Sequence, residues 1–207
     1  MSIVKLNNRG VRSATTFGSI TGLGSMVFIK KQTASSSSTI DFVDGTSDVV
    51  LDDTYKEYIF TYNNLHPATD SASLEFNLSI DSGSNYNVTK TSSSFRAYQN
   101  EAGSSTALAY FAANDLAQET GFQPLGDENQ SNDNDHGQCG ILYLFNPSDT
   151  TFVKNFIATN VNVHAGDYII NDYIAGYGNT TSAVDAIQFK YHNGNIDAGD
   201  ICLYGIN

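Results

Sequence analysis

Ser73-Leu74-Glu75-Phe76-Asn77-Leu78-Ser79-Ile80-Asp81 is the stretch on which the fold class turns. Leu74, Phe76, Leu78 and Ile80 alternate with Glu75, Asn77 and Ser79. A period of two belongs to a strand, whose successive side chains point to opposite faces. One apolar and one polar side predict a strand packed on a core by one face. Just upstream, Tyr55–Tyr62 (YKEYIFTY) is dense in aromatic and β-branched residues, a second strand signal. Asn63 and Asn64 end it, and Pro67 lies beyond. Downstream, Asp81-Ser82-Gly83-Ser84 predicts a turn, and Ser94–Gln99 a shorter strand.

The same rhythm runs through the chain. Ser25–Lys31 and the segment around Ile40, Phe42 and Val43 read as strands. So do Cys139–Phe145, Phe152–Val163, Tyr168–Tyr177, Val184–Tyr191 and Ile201–Ile206. Turn-forming clusters separate them, such as Ala165-Gly166-Asp167 and Asn193-Gly194-Asn195. Ala107–Ala117 fits either one short helix or a strand followed by a loop. Gly126–Gly137 (GDENQSNDNDHG) is polar and turn-prone, and predicts a surface loop. About nine or ten strands with almost no helix point to two packed antiparallel sheets. The expected architecture is therefore an all-β, antiparallel β-sandwich of jelly-roll type over residues 25–207. Gly10, Gly18, Gly22 and Gly24 break any helix in residues 1–24, which read as an extended N-terminal arm.

Composition agrees. The chain has 207 residues, enough to bury a core without disulfide or metal staples. Charged residues are only 15%, and Ser, Thr, Asn and Gly make up the balance, a mixture suited to strands and turns. The N-terminus lacks the apolar run of a signal peptide, and no stretch is long and apolar enough to cross a bilayer. Cys139 and Cys202 are the only cysteines and read as two small thiols, not a disulfide framework or a metal knuckle. The net charge of −12 is unevenly spread. Lys5, Arg9, Arg12, Lys30 and Lys31 precede the first acid, Asp41. A basic arm on an acidic body suits docking on an acidic partner, with Lys5, Arg9 and Arg12 as the gripping residues. An ordinary first strand with solvated lysines fits the same residues. Nucleic acid is disfavoured, because no aromatics interleave with the basic residues and the acidic body repels phosphate.

Three segments carry a resemblance: Tyr55–Phe76 (YKEYIFTYNNLHPATDSASLEF), Leu78–Tyr86 (LSIDSGSNY) and Ile187–Ile206 (IQFKYHNGNIDAGDICLYGI). Together they resemble a β-jelly-roll module of bacteriophage virion structural proteins, notably of marine phages, found in capsid decoration and in tail or head fibre proteins. The second segment is similar to that family's Ser/Thr-Asp-Gly-Gly-Ser turn, with Ser82 in place of the first Gly. The third is similar to its closing Gly-Asn-Ile, Gly and Leu-Tyr-Gly-Ile pattern. The likeness covers roughly residues 50–207 and is most specific in the last twenty. It implies a virion component, assembled in the host cytoplasm and displayed on the particle surface, in contact with other virion proteins and trimeric. Fold alone does not settle position in the particle.

No catalytic signature is present: there is no G-x-S-x-G, H-E-x-x-H or G-x-x-x-x-G-K-[ST]. His66, His136, His164 and His192 sit in separate turns or strand ends and read as surface residues. Asp127-Glu128 and Asp133-Asn134-Asp135 form the densest acidic cluster, but their spacing fails the EF-hand loop and reads as solvated. No cofactor and no catalytic residue is assigned. Twelve tyrosines and no tryptophan leave two readings open. Tyrosines pack strand surfaces and subunit interfaces, or Asp172, Tyr173, Tyr177 and Asn179 form a patch for host surface glycans. The expected function is an exposed accessory subunit such as a capsid decoration or cement protein docked by its arm. The alternative is a receptor-binding tail or head fibre module. A polysaccharide hydrolase ranks third.

Overall fold

The structure, a computed structural model, describes residues 25–127 and 129–206. The expected arm at residues 1–24, with Lys5, Arg9 and Arg12, lies outside the described residues. In chain order the strands are β1 (Met26–Thr33), β2 (Ile40–Val43), β3 (Glu57–Pro67), β4 (Leu74–Ser79), β5 (Lys90–Asn100), β6 (Thr106–Tyr110), β7 (Ala117–Glu119), β8 (Gln123–Pro124), β9 (Gln138–Phe145), β10 (Lys154–His164), β11 (Tyr168–Gly178), β12 (Ala186–Tyr191) and β13 (Ile196–Ile206). Among the described residues there is no α-helix, only a 3-10 turn at Ala112–Asn114. None is long and apolar enough to cross a membrane.

Every strand pairing is antiparallel. One sheet has nine strands in the order β1-β13-β3-β9-β10-β11-β5-β6, with β7 also on β5; the other has four, β2-β12-β4-β8. The sheets close face to face on an aromatic core. Phe60 and Phe156 of the large sheet meet Phe42, Phe189 and Phe76 of the small one. Ring centroids lie 5.4 Å apart for Phe42–Phe60, 5.6 Å for Phe60–Phe189 and 5.1 Å for Phe76–Phe156. All five rings are buried, each contributing about 1.5–3 kcal/mol by removal from water. The chain is thus an antiparallel β-sandwich, with an unequal division of strands that is compatible with a jelly roll. At one corner β1 lies on the last strand, with Met26 opposite Ile206.

Three local expectations are revised, and the open reading of Ala107–Ala117 is resolved in favour of a strand followed by a loop. β4 is buried on both sides. Asn77 and Ser79 are as inaccessible as Leu74 and Phe76, while Ile80 lies past the strand end and is exposed. The polar side is sealed because Asn77 Nδ2 donates to the carbonyls of Tyr86 (2.7 Å) and Thr120 (3.0 Å). Ala107–Ala117 is mainly strand and 3-10 turn, since β6 pairs residue for residue with β5 from Phe95↔Tyr110 to Gln99↔Thr106. β5 itself is eleven residues long, because its Ser/Thr-rich first half also pairs with β11. The polar stretch after Gly126 is a surface loop only in part. Asp127, Gln130 and Ser131 are buried. Backbone bonds to both sheets hold that segment: Gln130 N–H to Ala72 O (3.0 Å), Ser131 N–H to Val163 O (3.0 Å) and Leu125 N–H to Leu74 O (2.7 Å). A chain whose backbone groups are satisfied in this way can run through an interior despite polar side chains.

Candidate functional site

Side chains of one polar row cross the inner face of the large sheet. The register runs Tyr62↔Gly140, Gly140↔Asn160, Asn160↔Asp172 and Asp172↔Arg96, over β3, β9, β10, β11 and β5. Two residues further along their strands and on the same side, Asn162 and Gln138 extend it. Tyr62, Gln138, Asn160, Asn162 and Asp172 are all at most 1% exposed. Gly126 of the inward segment closes the row from above. A Cβ there would lie 3.3 Å from Gln138 Nε2, 3.6 Å from Asp172 Oδ2 and 3.8 Å from Asn162 Nδ2, so these groups converge on the space a side chain would fill. Gly140 is required for close approach. A Cβ there would sit 2.6 Å from Tyr62 Cε2 and 2.7 Å from Asn160 Oδ1.

The electrostatics of this row are unusual for a core. Burial, reinforced by the negative charge of Asp127, pushes the Asp172 carboxyl up to about 7, with Arg96 opposing. Burial likewise raises the Tyr62 phenol, helped by Asp172. Arg96 is engaged elsewhere: its guanidinium pairs with Asp127 and lies 3.7 Å from the Phe111 ring centroid. Both carboxylate oxygens of Asp172, both amide atoms of Asn160 and Asn162, Gln138 Oε1 and Tyr62 Oη have no hydrogen-bond partner among the described residues.

A cleft of about 280 Å3 opens beside this row, lined by Arg96, Tyr98, Asp127, His164, Tyr168 and Ile170. Its aromatic wall is braced by edge contacts, Tyr98–Tyr168 at 5.6 Å and His164–Tyr168 at 5.5 Å. At the same end, His66 and His136, read from sequence as separate surface residues, line one pocket with Asp135 and Asp197. His66 Nε2 donates to Asp133 O (3.1 Å). The fold brings these two together because Leu65 of β3 pairs with Gln138 of β9. His164 Nδ1 instead accepts from the nearby Gly166 N–H, and His192 Nδ1 from the sequence-distant Ser73 N–H. Among the described residues no three His, Cys, Asp or Glu side chains form a metal-ligand group. Cys139 and Cys202 are free thiols.

Over β9, β10, β11, β5 and β6 the outer face of the large sheet differs in character. Its register rows are Tyr143, Ile157, Ala175, Ser93; then Ile141, Thr159, Tyr173, Phe95, Tyr110; then Cys139, Val161, Asn171, Ala97, Leu108; then Val163, Ile169, Gln99, Thr106. Not one is charged. Leu108 is 74% exposed and Tyr110 65%. Phe95 and Tyr173 lie stacked, centroids 4.9 Å apart, and both are exposed.

The structure divides the expected glycan patch. Tyr173 points outward on this face, whereas its neighbour Asp172 points into the core, as strand alternation requires. Tyr177 and Asn179 remain together through Gln118, whose Nε2 donates to Tyr177 Oη (3.3 Å) and whose Oε1 accepts from Asn179 Nδ2 (2.7 Å). The aromatic cleft and the polar row escaped sequence reading, because their members come from five strands and an inward segment read as a loop. The one available signal was Asn160, Asn162 and Asp172 at positions where neighbouring alternate residues are apolar. In comparisons with known proteins, the chain matches no family model, no curated protein and no solved structure.

Proposed function

We propose that the chain is a non-catalytic assembly subunit of the exposed accessory type that the resemblance to phage virion proteins implies. The observation that carries the reading is the uncharged, aromatic-rich outer face over β9, β10, β11, β5 and β6 of the large sheet. Extended apolar surface of this kind marks an interaction site. On a chain with net charge −12, an uncharged face is also where another copy approaches with least repulsion. Closed symmetry satisfies such a face, and a trimer is the form the resemblance implies. The test is light scattering coupled to size exclusion on the full chain. A trimer mass is expected, shifting to monomer in Tyr173→Arg and Val161→Lys. A monomer at tens of micromolar, or assembly unmoved by both changes, refutes it. Purified particles carrying the chain in hundreds of copies support a decoration subunit, and about a dozen support a fibre. In the decoration reading the basic N-terminal segment docks on acidic capsid seams, so deleting residues 1–24 releases the subunit from the particle.

A second reading, host-glycan recognition, is favoured by the cleft of Arg96, Tyr98, Asp127, His164 and Tyr168. An aromatic wall beside an Arg–Asp pair offers a stacking surface and hydrogen-bond partners for a sugar. Glycan-array binding that is lost in Tyr168→Ala supports it. The hydrolase alternative is weakened by access: Asp172, the carboxyl with a raised pKa, is fully buried, out of reach of a polysaccharide.

A further inference from the structure

Lys90 of β5 and Asn77 of β4 meet where the large sheet adjoins the small one, and both side chains are fully buried. The Lys90 Nζ donates to Asn77 Oδ1 and to Val88 O (2.7 Å). The Asn77 amide is held at both ends. The Leu78 N–H donates to Oδ1 at 2.8 Å. Nδ2 donates to the carbonyls of Tyr86 (2.7 Å), Thr120 (3.0 Å) and Gly121 (3.3 Å). A backbone bond from Val88 N–H to Leu78 O (3.3 Å) keeps the two segments side by side. This is the arrangement an acyl transfer needs. A lysine amine becomes a nucleophile when burial strips its proton, and burial alone lowers Lys90 to about 7. The Leu78 N–H sits where negative charge develops on Oδ1 as an amine adds to Cγ. The three carbonyls surround the nitrogen that has to leave and favour it as it gains a proton.

We propose that Lys90 and Asn77 join in an isopeptide bond, a covalent tie between the two sheets made by the folded chain itself. The Nζ lone pair adds to Asn77 Cγ and the Cγ–Nδ2 bond breaks. Nδ2 takes a proton from Nζ and departs as ammonia. One amide replaces another, so no oxidant, reductant or co-reactant is consumed. The amine has to shift from the amide oxygen onto its carbon, and an amide is a poor acyl donor, so the bond accumulates as the folded chain ages. Freshly folded chain keeps the free amine, and only in that form does Lys90 titrate. Of the charged side chains on neighbouring elements, Lys154 of β10 donates to Asp149 O and Phe152 O. Lys190 of β12 lies over the Phe122 ring. Glu119, opposite Lys90 on β7, is exposed, and Glu75 lies two residues from Asn77 on β4. A sandwich tied in this way cannot part between β4 and β5 without breaking a covalent bond. The inference is independent of the assembly reading.

The test is intact-mass spectrometry of the full chain, fresh and after incubation. Aged wild type is expected to be lighter by one ammonia. The loss is about tenfold faster at pH 8 than at pH 6, as the neutral fraction of the amine rises. Protease digestion then yields the Asn77 and Lys90 peptides as one branched species. Lys90→Met and Asn77→Ala keep the full mass, whereas Lys154→Met, which removes the other buried lysine, still loses ammonia. The proposal is overturned if aged wild type keeps its full mass at pH 8. It is equally overturned if the loss survives Lys90→Met, which assigns it to a succinimide at Asn193-Gly194.

Discussion

Replacing Lys90 by Met should stabilise the protein at neutral pH and remove a distinctive pH dependence. The Lys90 side chain is fully buried, and its ammonium donates to Val88 O at 2.7 Å and to Asn77 Oδ1. Neither partner is a charge, and burial lowers its pKa from 10.5 to about 7. The folded state therefore holds this proton less tightly than the unfolded chain. Stability contributed by Lys90 is full above the unfolded pKa and is lost as pH falls through the folded one. At about 1.4 kcal/mol per pKa unit, the wild type gains roughly 2 kcal/mol between pH 7 and pH 9 from this group. The window stops at pH 9 because buried tyrosines oppose the trend at higher pH; burial raises Tyr58 to about 12, for instance. Met matches the length and burial of the lysine stem. It leaves Val88 O short of a donor, a loss of about 1–3 kcal/mol, against a relief of about 4 kcal/mol at pH 7. The expected net gain is about 1–3 kcal/mol at pH 7 and close to zero or negative at pH 9. Urea unfolding of both proteins at the two pH values measures this. A wild type with no rise, or a variant with the same rise, refutes the reasoning.

Asp172→Asn is expected to be more stable than wild type at pH 8 and less advantaged at pH 5. The raised carboxyl contributes stability that is present below about 4 and lost as pH rises through about 7, at most about 4 kcal/mol by linkage. Asp127, Arg96 and Tyr62 face the same group and are unchanged in the comparison. Gly140→Ala should cost about 1–3 kcal/mol in urea unfolding by overpacking Tyr62 and the Thr159 carbonyl, 2.6 Å from the new methyl. Phe76→Ala should cost about 3–5 kcal/mol, because its ring meets Phe156 across the sheets and Phe189 beside it in its own sheet. A loss under 1 kcal/mol places the core contact elsewhere.

Strand alternation was readable wherever one side chain in two is apolar. Leu74, Phe76 and Leu78 announced β4, and Tyr58, Phe60 and Tyr62 announced β3, because each lies on the aromatic core. Pattern cannot report what covers the second side. Asn77 reads as solvent-facing from its type, yet two distant carbonyls enclose it. The segment from Leu125 to Ser131 misled for the same reason: its Asp, Asn and Gln residues resemble a loop until their backbone bonds to β4 and β10 are known. The Gly126 cradle depends on register across three strands, β9, β10 and β11, and no local spacing encodes it. Tyr173 and Asp172 are adjacent in sequence, yet strand alternation sends them to opposite faces.

The pairing of Met26 with Ile206 has a use of its own. Opposed residues of an antiparallel pair have Cα atoms only about 4.5–5.5 Å apart. The described sandwich therefore has its first and last strand ends at one corner. Its two attachment points are close enough for the body to be spliced into a surface turn of another protein with little distortion of the host. Such a graft would project as a stalkless knob, leaving the opposite end of the sandwich free.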